Sequence, residues 1–111
     1  FILLGSKNEQ QYSKIFKKGF NENVIDLCGY LTIVESAAIL KKANFFIGND
    51  SGLGHIASAT KTKSLTIFGD GSPLRYKPFS MESYFYQNHE KDINLIDVET
   101  IFEEIKKIKI L

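Results

Sequence analysis

The sequence predicts an α/β domain built on a parallel sheet with helices on both faces. Short apolar segments typical of strands alternate with helix-like segments along the 111 residues, and such alternation is typical of βαβ units. One polar turn, residues 49–52, joins an apolar strand directly to a helix. The composition, 43% hydrophobic and 24% charged, is that of an ordinary globular protein. The length suits one domain with a modest core.

The spacing of apolar side chains predicts the individual elements. Strands are predicted at residues 1–4, 24–27, 45–47 and 65–68, with a short last strand at 93–96. Helices are predicted at residues 8–18 and 32–42, from 52 onward and from 97 onward. Thr32 and Glu35 have the spacing of a capping box, and Asp97 is a residue type that begins helices.

The turn after the third strand has the composition of an anion site. Asp50 and Ser51 are residue types that cap helices, and a helix start presents unpaired N–H groups and the positive end of the helix dipole. Gly52 and Gly54 leave room for a ligand to approach the backbone. His55 lies in the first helical turn, where an imidazole could reach the same anion. We therefore expect a phosphate site here.

The same residues also fit a purely structural role. Strand–turn–helix units with polar caps occur throughout α/β domains, so Asp50 and Ser51 could cap a core helix while His55 lies at the surface. The Gly-x-Gly spacing does not distinguish a phosphate site from a structural cap, because it lacks the third glycine of a dinucleotide fingerprint and the lysine of a P-loop. From the residues alone, both interpretations stay open.

Ligands of parallel α/β sheets bind beyond the carboxyl ends of the strands. Four polar or glycine-containing loops follow predicted strands and are expected at that edge: residues 5–9, 28–32, 49–55 and 69–75. Helical periodicity disappears between residues 70 and 83, and an irregular loop of this length in a compact domain more often has a function than not. The aromatic side chains in and after this loop are expected to pack over the edge of the sheet: Tyr76, Phe79, Tyr84, Phe85 and Tyr86.

Charge and cysteine content narrow the function classes. The net charge of +1 gives no field that would attract nucleic acid. Cys28 is the only cysteine, which excludes an internal disulfide and fits a reducing compartment. No apolar run has membrane-spanning length, and no segment resembles a signal peptide. The chain opens on an apolar strand without a methionine, so we expect a piece of a longer protein.

Three groups of residues stand out together in the sequence: residues 24–29; Asn49, Asp50, Ser51 and Gly52 with His55 and residues 57–59; and Phe68 and Gly69 with Pro73, Arg75 and Pro78. In combination they resemble glycosyltransferase family 9, the lipopolysaccharide heptosyltransferases. The resemblance covers essentially the whole chain. It implies a GT-B glycosyltransferase of two Rossmann-like domains. Residues 1–111 would be a single, slightly truncated C-terminal domain of three layers that binds the nucleotide sugar, with the N-terminal acceptor domain absent.

The resemblance also implies roles for individual positions. Four residues would contact the donor phosphates: Ser51, Gly52, Leu53 and His55. Asp50 would lie close to the donor sugar, Glu9 would hold the ribose diol, and Leu31 would lie against the adenine. The resemblance places no catalytic residue in this chain. We expect no metal and no cofactor beside the ADP-sugar substrate.

Two departures from the family pattern bear on the donor. Lys63 stands where a proline is common, and Asp70, Gly71 and Ser72 replace the usual Pro-Thr-Asp. Asp70 adds negative charge close to the sugar end, so the identity of the sugar stays open. The family's first strand of this domain, which carries hydroxyl and lysine ligands of phosphate, is expected to be missing.

The implied function is transfer of heptose, or a related sugar, from an ADP-sugar to the lipopolysaccharide core. The acceptor would bind through the missing N-terminal domain, which also supplies the catalytic aspartate, so we expect this chain alone to be inactive. The implied location is the cytoplasm, at the face of the inner membrane, with peripheral membrane contact. Two alternatives remain open: a non-catalytic nucleotide-binding α/β module, and a nucleotide-sugar epimerase of GT-B type.

Overall fold

A computed structural model describes residues 1–20 and 23–108. The chain divides into two compact units, Phe1–Ala38 and Ile39–Leu111. Parallel strands flanked by helices occur in both units, which confirms the predicted α/β class. That the chain is one domain stays a prediction.

The first unit holds two short parallel strands and a helix. Strand β1 (Ile2–Leu3) pairs with β2 (Ile25–Asp26), with Ile2 opposite Ile25. Between them a 3-10 turn (Lys7–Glu9) leads directly into helix α1 (Gln10–Lys18), which packs against β2.

Asp26, the last residue of β2, is hydrogen-bonded to helix α1 and to the turn after β2. Its carboxylate accepts hydrogen bonds from Ser13 Oγ on α1 at 2.7 Å and from the Cys28 N–H at 3.1 Å. Both donors favour the ionised form, so the pKa of Asp26 is lowered, chiefly by the Ser13 hydroxyl. Burial raises the pKa of the Cys28 thiol beside it, and Cys28 lies with Val24 in the small core of this unit.

Helix α2 (Ile33–Lys42) begins as the sequence predicts. The Glu35 N–H donates to Thr32 Oγ1 and the Thr32 N–H donates to Glu35 Oε1, both at 3.2 Å, which is the reciprocal capping box. These bonds lower the pKa of Glu35. In its last turns Leu40 is buried, and the Leu40 carbonyl accepts a hydrogen bond from the buried Thr62 hydroxyl at 2.7 Å.

The second unit is a three-stranded parallel sheet with β4 in the middle. The strands are β3 (Phe46–Asn49), β4 (Ser64–Phe68) and β5 (Ser83–Gln87), in the order β3-β4-β5. The registers place Asn49 opposite Ile67 and Phe68 opposite Gln87, so the carboxyl ends of all three strands are level. Helix α3 (Gly52–Ala59) packs against β3 and β4, and Leu65 and Phe68 form the buried core of β4.

The segment after β4 differs from the prediction at three points. The irregular loop contains a short helix, α4 (Pro73–Tyr76), which begins with a proline. Tyr84, Phe85 and Tyr86 belong to the edge strand β5 itself rather than packing over an edge. The expected strand at 93–96 is wrong: residues Ile93–Leu95 form a 3-10 turn, because the Asp92 carboxylate accepts the Asn94 N–H at 2.9 Å.

Helix α5 (Val98–Lys107) begins where the sequence predicts. Asp97 Oδ1 accepts the Thr100 N–H at 2.7 Å, which lowers the pKa of Asp97 and satisfies one of the unpaired N–H groups at the helix start. Lys106 and Lys107 pair with Glu103 and Glu104 one turn earlier. Among the described residues, no helix has the length and apolarity needed to cross a membrane.

Candidate functional site

The candidate phosphate site is the start of α3. Ser51 is the N-cap residue, with extended backbone angles (φ −153°, ψ 168°), and its side chain makes no hydrogen bond to the helix. The Ser51 carbonyl accepts the Gly54 N–H at 3.1 Å. For the N–H groups of Gly52 and Leu53 no acceptor is found within the described part of the chain. The structure therefore leaves two donors free at the positive end of a helix dipole.

The side-chain capping expected of a purely structural turn is thus missing at this helix. The helices that begin after Thr32 and Asp97 use a side-chain oxygen to satisfy a backbone N–H, whereas α1, α3 and α4 begin without a side-chain hydrogen bond from their N-cap residue. Neither Ser51 nor Asp50 caps α3. Both side chains are exposed, as is His55 in the helix's fourth position. A polar, exposed and uncapped helix start has the free donors that an anion site needs, and the phosphate roles of the residues at this start stay predictions.

Gly52 and Gly54 have different environments, which corrects one expectation. A Cβ added to Gly52 would meet no atom within 4 Å, so this glycine does leave open space. Gly54 is buried, and a Cβ there would lie 3.3 Å from both Pro78 Cγ and Thr66 Oγ1. Gly54 therefore allows α3 to pack closely on β4, and it does not open a path for a ligand.

The loop that follows β4 approaches the turn that follows β3. A Cβ added to Gly71 would lie 3.1 Å from Asp50 Oδ2, so the Asp50 carboxylate borders this loop at Gly71. Gln87, the last residue of β5, donates from Nε2 to the Gly69 carbonyl at 2.6 Å and to the Gly71 carbonyl at 2.8 Å. Two loops of the predicted edge thus meet, and Gln87 holds one of them in place.

The role of Gln87 is not predictable from the sequence, because β5 itself was not predicted. The sequence shows only a glutamine that follows a run of aromatic residues. Its contact with the loop after β4 can be inferred only once the register of β4 and β5 is known. Of the two family departures, Asp70 is exposed in the same loop. Lys63 forms an ion pair with Glu82 at 3.3 Å, joining the residues that precede β4 and β5.

In the first unit the loops after β1 and β2 are also joined. The Gly29 N–H donates to the Gly5 carbonyl at 2.9 Å, and Gln10 Nε2 donates to the Cys28 carbonyl at 2.9 Å. Gly29 has φ +80°, a conformation that favours glycine, and a Cβ there would lie 2.9 Å from Lys7 Cα. The turn that precedes Leu31 is therefore fixed against the turn that carries Glu9.

Glu9 has a structural contact of its own. Its Oε2 accepts the Ser6 N–H at 2.6 Å, so one carboxylate oxygen is used at the start of the 3-10 turn. The other oxygen makes no hydrogen bond to the described residues. Glu9 borders a shallow depression of about 230 Å³ lined by Leu3, Leu4, Tyr12, Ser13, Phe16 and Cys28. Leu31 is half-buried. The ribose and adenine roles of Glu9 and Leu31 stay predictions.

Two further features of the described residues concern metal binding and a second surface depression. Residues 1–20 and 23–108 contain no group of three His, Cys, Asp or Glu side chains arranged to hold a metal ion. The second unit has a depression of about 280 Å³ near the carboxyl ends of β3 and β4 and the start of α5. Its lining is mostly apolar: Asn49, Ile67, Ile93, Ile96, Asp97, Val98 and Ile101.

Comparison with known proteins identifies the family. The family model of glycosyltransferase family 9 (heptosyltransferase) matches residues 1–106. Lipopolysaccharide heptosyltransferase 1 of Salmonella typhimurium is 23% identical over 101 residues, which are 91% of this chain and 31% of that protein.

Two solved structures share the fold. The ADP-heptose lipopolysaccharide heptosyltransferase II of E. coli superposes on 96% of this chain with a TM-score of 0.83 and 21% identity, over 35% of its own length. The E. coli heptosyltransferase WaaC with ADP gives a TM-score of 0.86 and 19% identity, over 95% of this chain and 32% of its own. This chain thus spans about a third of the length of the relatives it matches. By the match to residues 1–106, the chain belongs to glycosyltransferase family 9, the heptosyltransferase family.

Proposed function

We propose that this chain is the donor-binding part of a glycosyltransferase that moves heptose, or a related sugar, from an ADP-sugar to the lipopolysaccharide core. The observation that carries the proposal is the exposed, uncapped start of α3 in a member of this family. Such a helix start is chemically suited to a pyrophosphate, because its free N–H groups and its dipole both favour negative charge.

Each residue at the start of α3 has a proposed task. The N–H groups of Gly52 and Leu53 and the exposed Ser51 donate to the donor phosphates, and His55 adds a side-chain contact. As the sugar is transferred, charge develops on the departing ADP, and preorganised donors stabilise that charge without further rearrangement. Asp50, whose carboxylate lies against the loop after β4, takes the hydroxyls of the donor sugar. Glu9 binds the ribose, and Leu31 packs against the adenine.

The remaining steps are proposed for the whole enzyme. An aspartate outside this chain acts as the general base for the acceptor hydroxyl, and the acceptor is the lipopolysaccharide core. The chemistry uses no metal ion. The enzyme works in the cytoplasm at the inner membrane, where its acceptor is anchored.

The test is a ligand comparison on the intact gene product. Thermal unfolding is measured with ADP, UDP and GDP at matched concentrations. A ligand present at a hundred times its dissociation constant stabilises the folded state by about 2.7 kcal/mol, so ADP should raise the unfolding temperature clearly and UDP and GDP should not. Equal shifts with ADP and UDP would contradict the proposal.

An assay of turnover separates the proposal from the two alternatives. A transferase releases ADP from ADP-heptose only when a lipid A–Kdo acceptor is present. A non-catalytic nucleotide-binding module releases none under either condition. An epimerase changes the sugar nucleotide without an acceptor.

A further inference from the structure

The end of β5 carries a side chain whose two hydrogen bonds converge on one loop. Gln87 Nε2 donates to the carbonyls of Gly69 and Gly71 at 2.6 and 2.8 Å, and the side chain is half-buried. A primary amide has two N–H donors, so this side chain can serve both carbonyls at once. The backbone of residues 69–71 is therefore tied to the strand that lies on the far side of β4 from β3.

The same loop supports the carboxylate of Asp50. A Cβ added to Gly71 would lie 3.1 Å from Asp50 Oδ2 and 3.4 Å from Phe68 Cδ1. Among the described residues Asp50 receives no hydrogen bond that would fix its side chain. Gly71 is the residue that borders the Asp50 carboxylate, and the hydrogen bond from Gln87 fixes the Gly71 carbonyl.

We propose that Gln87 is a positioning residue of the donor site, which sets the place of Asp50 through the loop at residues 69–71. The inference rests on the proposed function, in which Asp50 contacts the donor sugar. It predicts that loss of the Gln87 amide weakens binding of the sugar part of the donor while leaving binding of the nucleotide part unchanged. Helix α3 packs on β3 and β4, and both side-chain hydrogen bonds of Gln87 go to the loop at residues 69–71 rather than to the start of α3.

The experiment compares the dissociation constants of ADP and ADP-heptose in Gln87→Met, made in the intact gene product. Methionine has a similar length and no N–H donor. We expect ADP-heptose to bind about tenfold more weakly, which is close to the smallest loss for one hydrogen bond to a charged group such as the Asp50 carboxylate, and ADP to bind within a factor of about two of the wild-type value. A Gln87→Leu variant, which also lacks an N–H donor and adds no charge, should behave in the same way and replaces Gln87→Met if that variant fails to fold.

Asn88→Ala is the matched control. Asn88 is the next residue, and its amide also makes two side-chain to backbone hydrogen bonds, but both are to Asp92 at 2.9 Å. This variant should bind both ligands as the wild type does. An unchanged affinity of Gln87→Met for ADP-heptose would overturn the inference, and so would parallel losses for ADP and ADP-heptose. A wild-type protein that binds neither ligand would overturn the proposed function itself, before any variant is measured.

Discussion

The two glycines at the start of α3 give a prediction that separates folding from binding. A Cβ on Gly52 meets nothing within 4 Å, whereas a Cβ on Gly54 lies 3.3 Å from Pro78 Cγ and from Thr66 Oγ1. Optimal separations between non-bonded carbons are about 3.5–4.0 Å, so a Cβ at Gly54 would be closer to Pro78 than an ordinary contact and its neighbours would have to shift. Gly52→Val should therefore leave the fold intact, and Gly54→Val should strain the contact between α3 and β4.

The magnitudes follow from these environments. Overpacking at Gly54 should lower the free energy of unfolding by about 1–3 kcal/mol. At Gly52, valine is a better helix former than glycine, so the change in stability should stay within about 0.5 kcal/mol. The methyl groups added by Gly52→Val would stand beside the free N–H donors of Gly52 and Leu53 and obstruct the phosphate. Loss of two hydrogen bonds to a charged group, each about 1.5–3 kcal/mol, weakens ADP binding at least about 100-fold.

Two measurements on the intact gene product test this pair: urea unfolding for stability and calorimetric titration with ADP for affinity. We expect Gly52→Val to be stable and to bind ADP poorly, and Gly54→Val to be less stable. Normal ADP binding by Gly52→Val would refute the placement of the phosphate site. Equal destabilisation by both substitutions would refute the packing argument.

Three further predictions use the same structure. His55→Ala should weaken ADP binding about tenfold, less than Gly52→Val, because it removes one hydrogen bond to a charged group; an equal or larger loss in titration would contradict this order. Asp26→Asn should lower stability at pH 7, because the folded-state pKa of Asp26 is lowered by Ser13 and the ionised carboxylate stabilises the fold above the unfolded value of about 4. That deficit should shrink as the pH falls through the lowered folded-state pKa, and denaturation midpoints that differ equally at pH 7 and pH 2.5 would contradict the argument. The 111-residue chain alone should release no ADP in an acceptor-dependent way, because transfer requires both substrates held together. Acceptor-dependent release that is abolished by Asp70→Asn would show that the chain carries its own base.

The sequence was sufficient for features that depend on local chemistry. The capping box of Thr32 and Glu35, the N-cap at Asp97 and the helix start after Ser51 each depend on residues within four positions of one another. Local hydrogen bonds of this kind leave a pattern that can be read directly along the chain. The parallel pairing likewise follows from the alternation of strands and helices.

Features that depend on tertiary packing were not predictable. Tyr84, Phe85 and Tyr86 show no alternation of apolar and polar residues, and β5 is recognised only through its pairing with β4. Gly52 and Gly54 look alike in the sequence, although one is exposed and the other is buried against β4. The hydrogen bonds of Gln87 to Gly69 and Gly71 span 18 and 16 positions, so no local sequence pattern predicts them.

Whether the start of α3 binds the donor pyrophosphate is tested by a crystal structure of the intact gene product in complex with ADP. We expect phosphate oxygens about 2.7–3.2 Å from the N–H groups of Gly52 and Leu53, with the His55 side chain turned toward them. ADP bound with its phosphates away from residues 51–55, and the N–H groups of Gly52 and Leu53 facing only solvent, would contradict the claim.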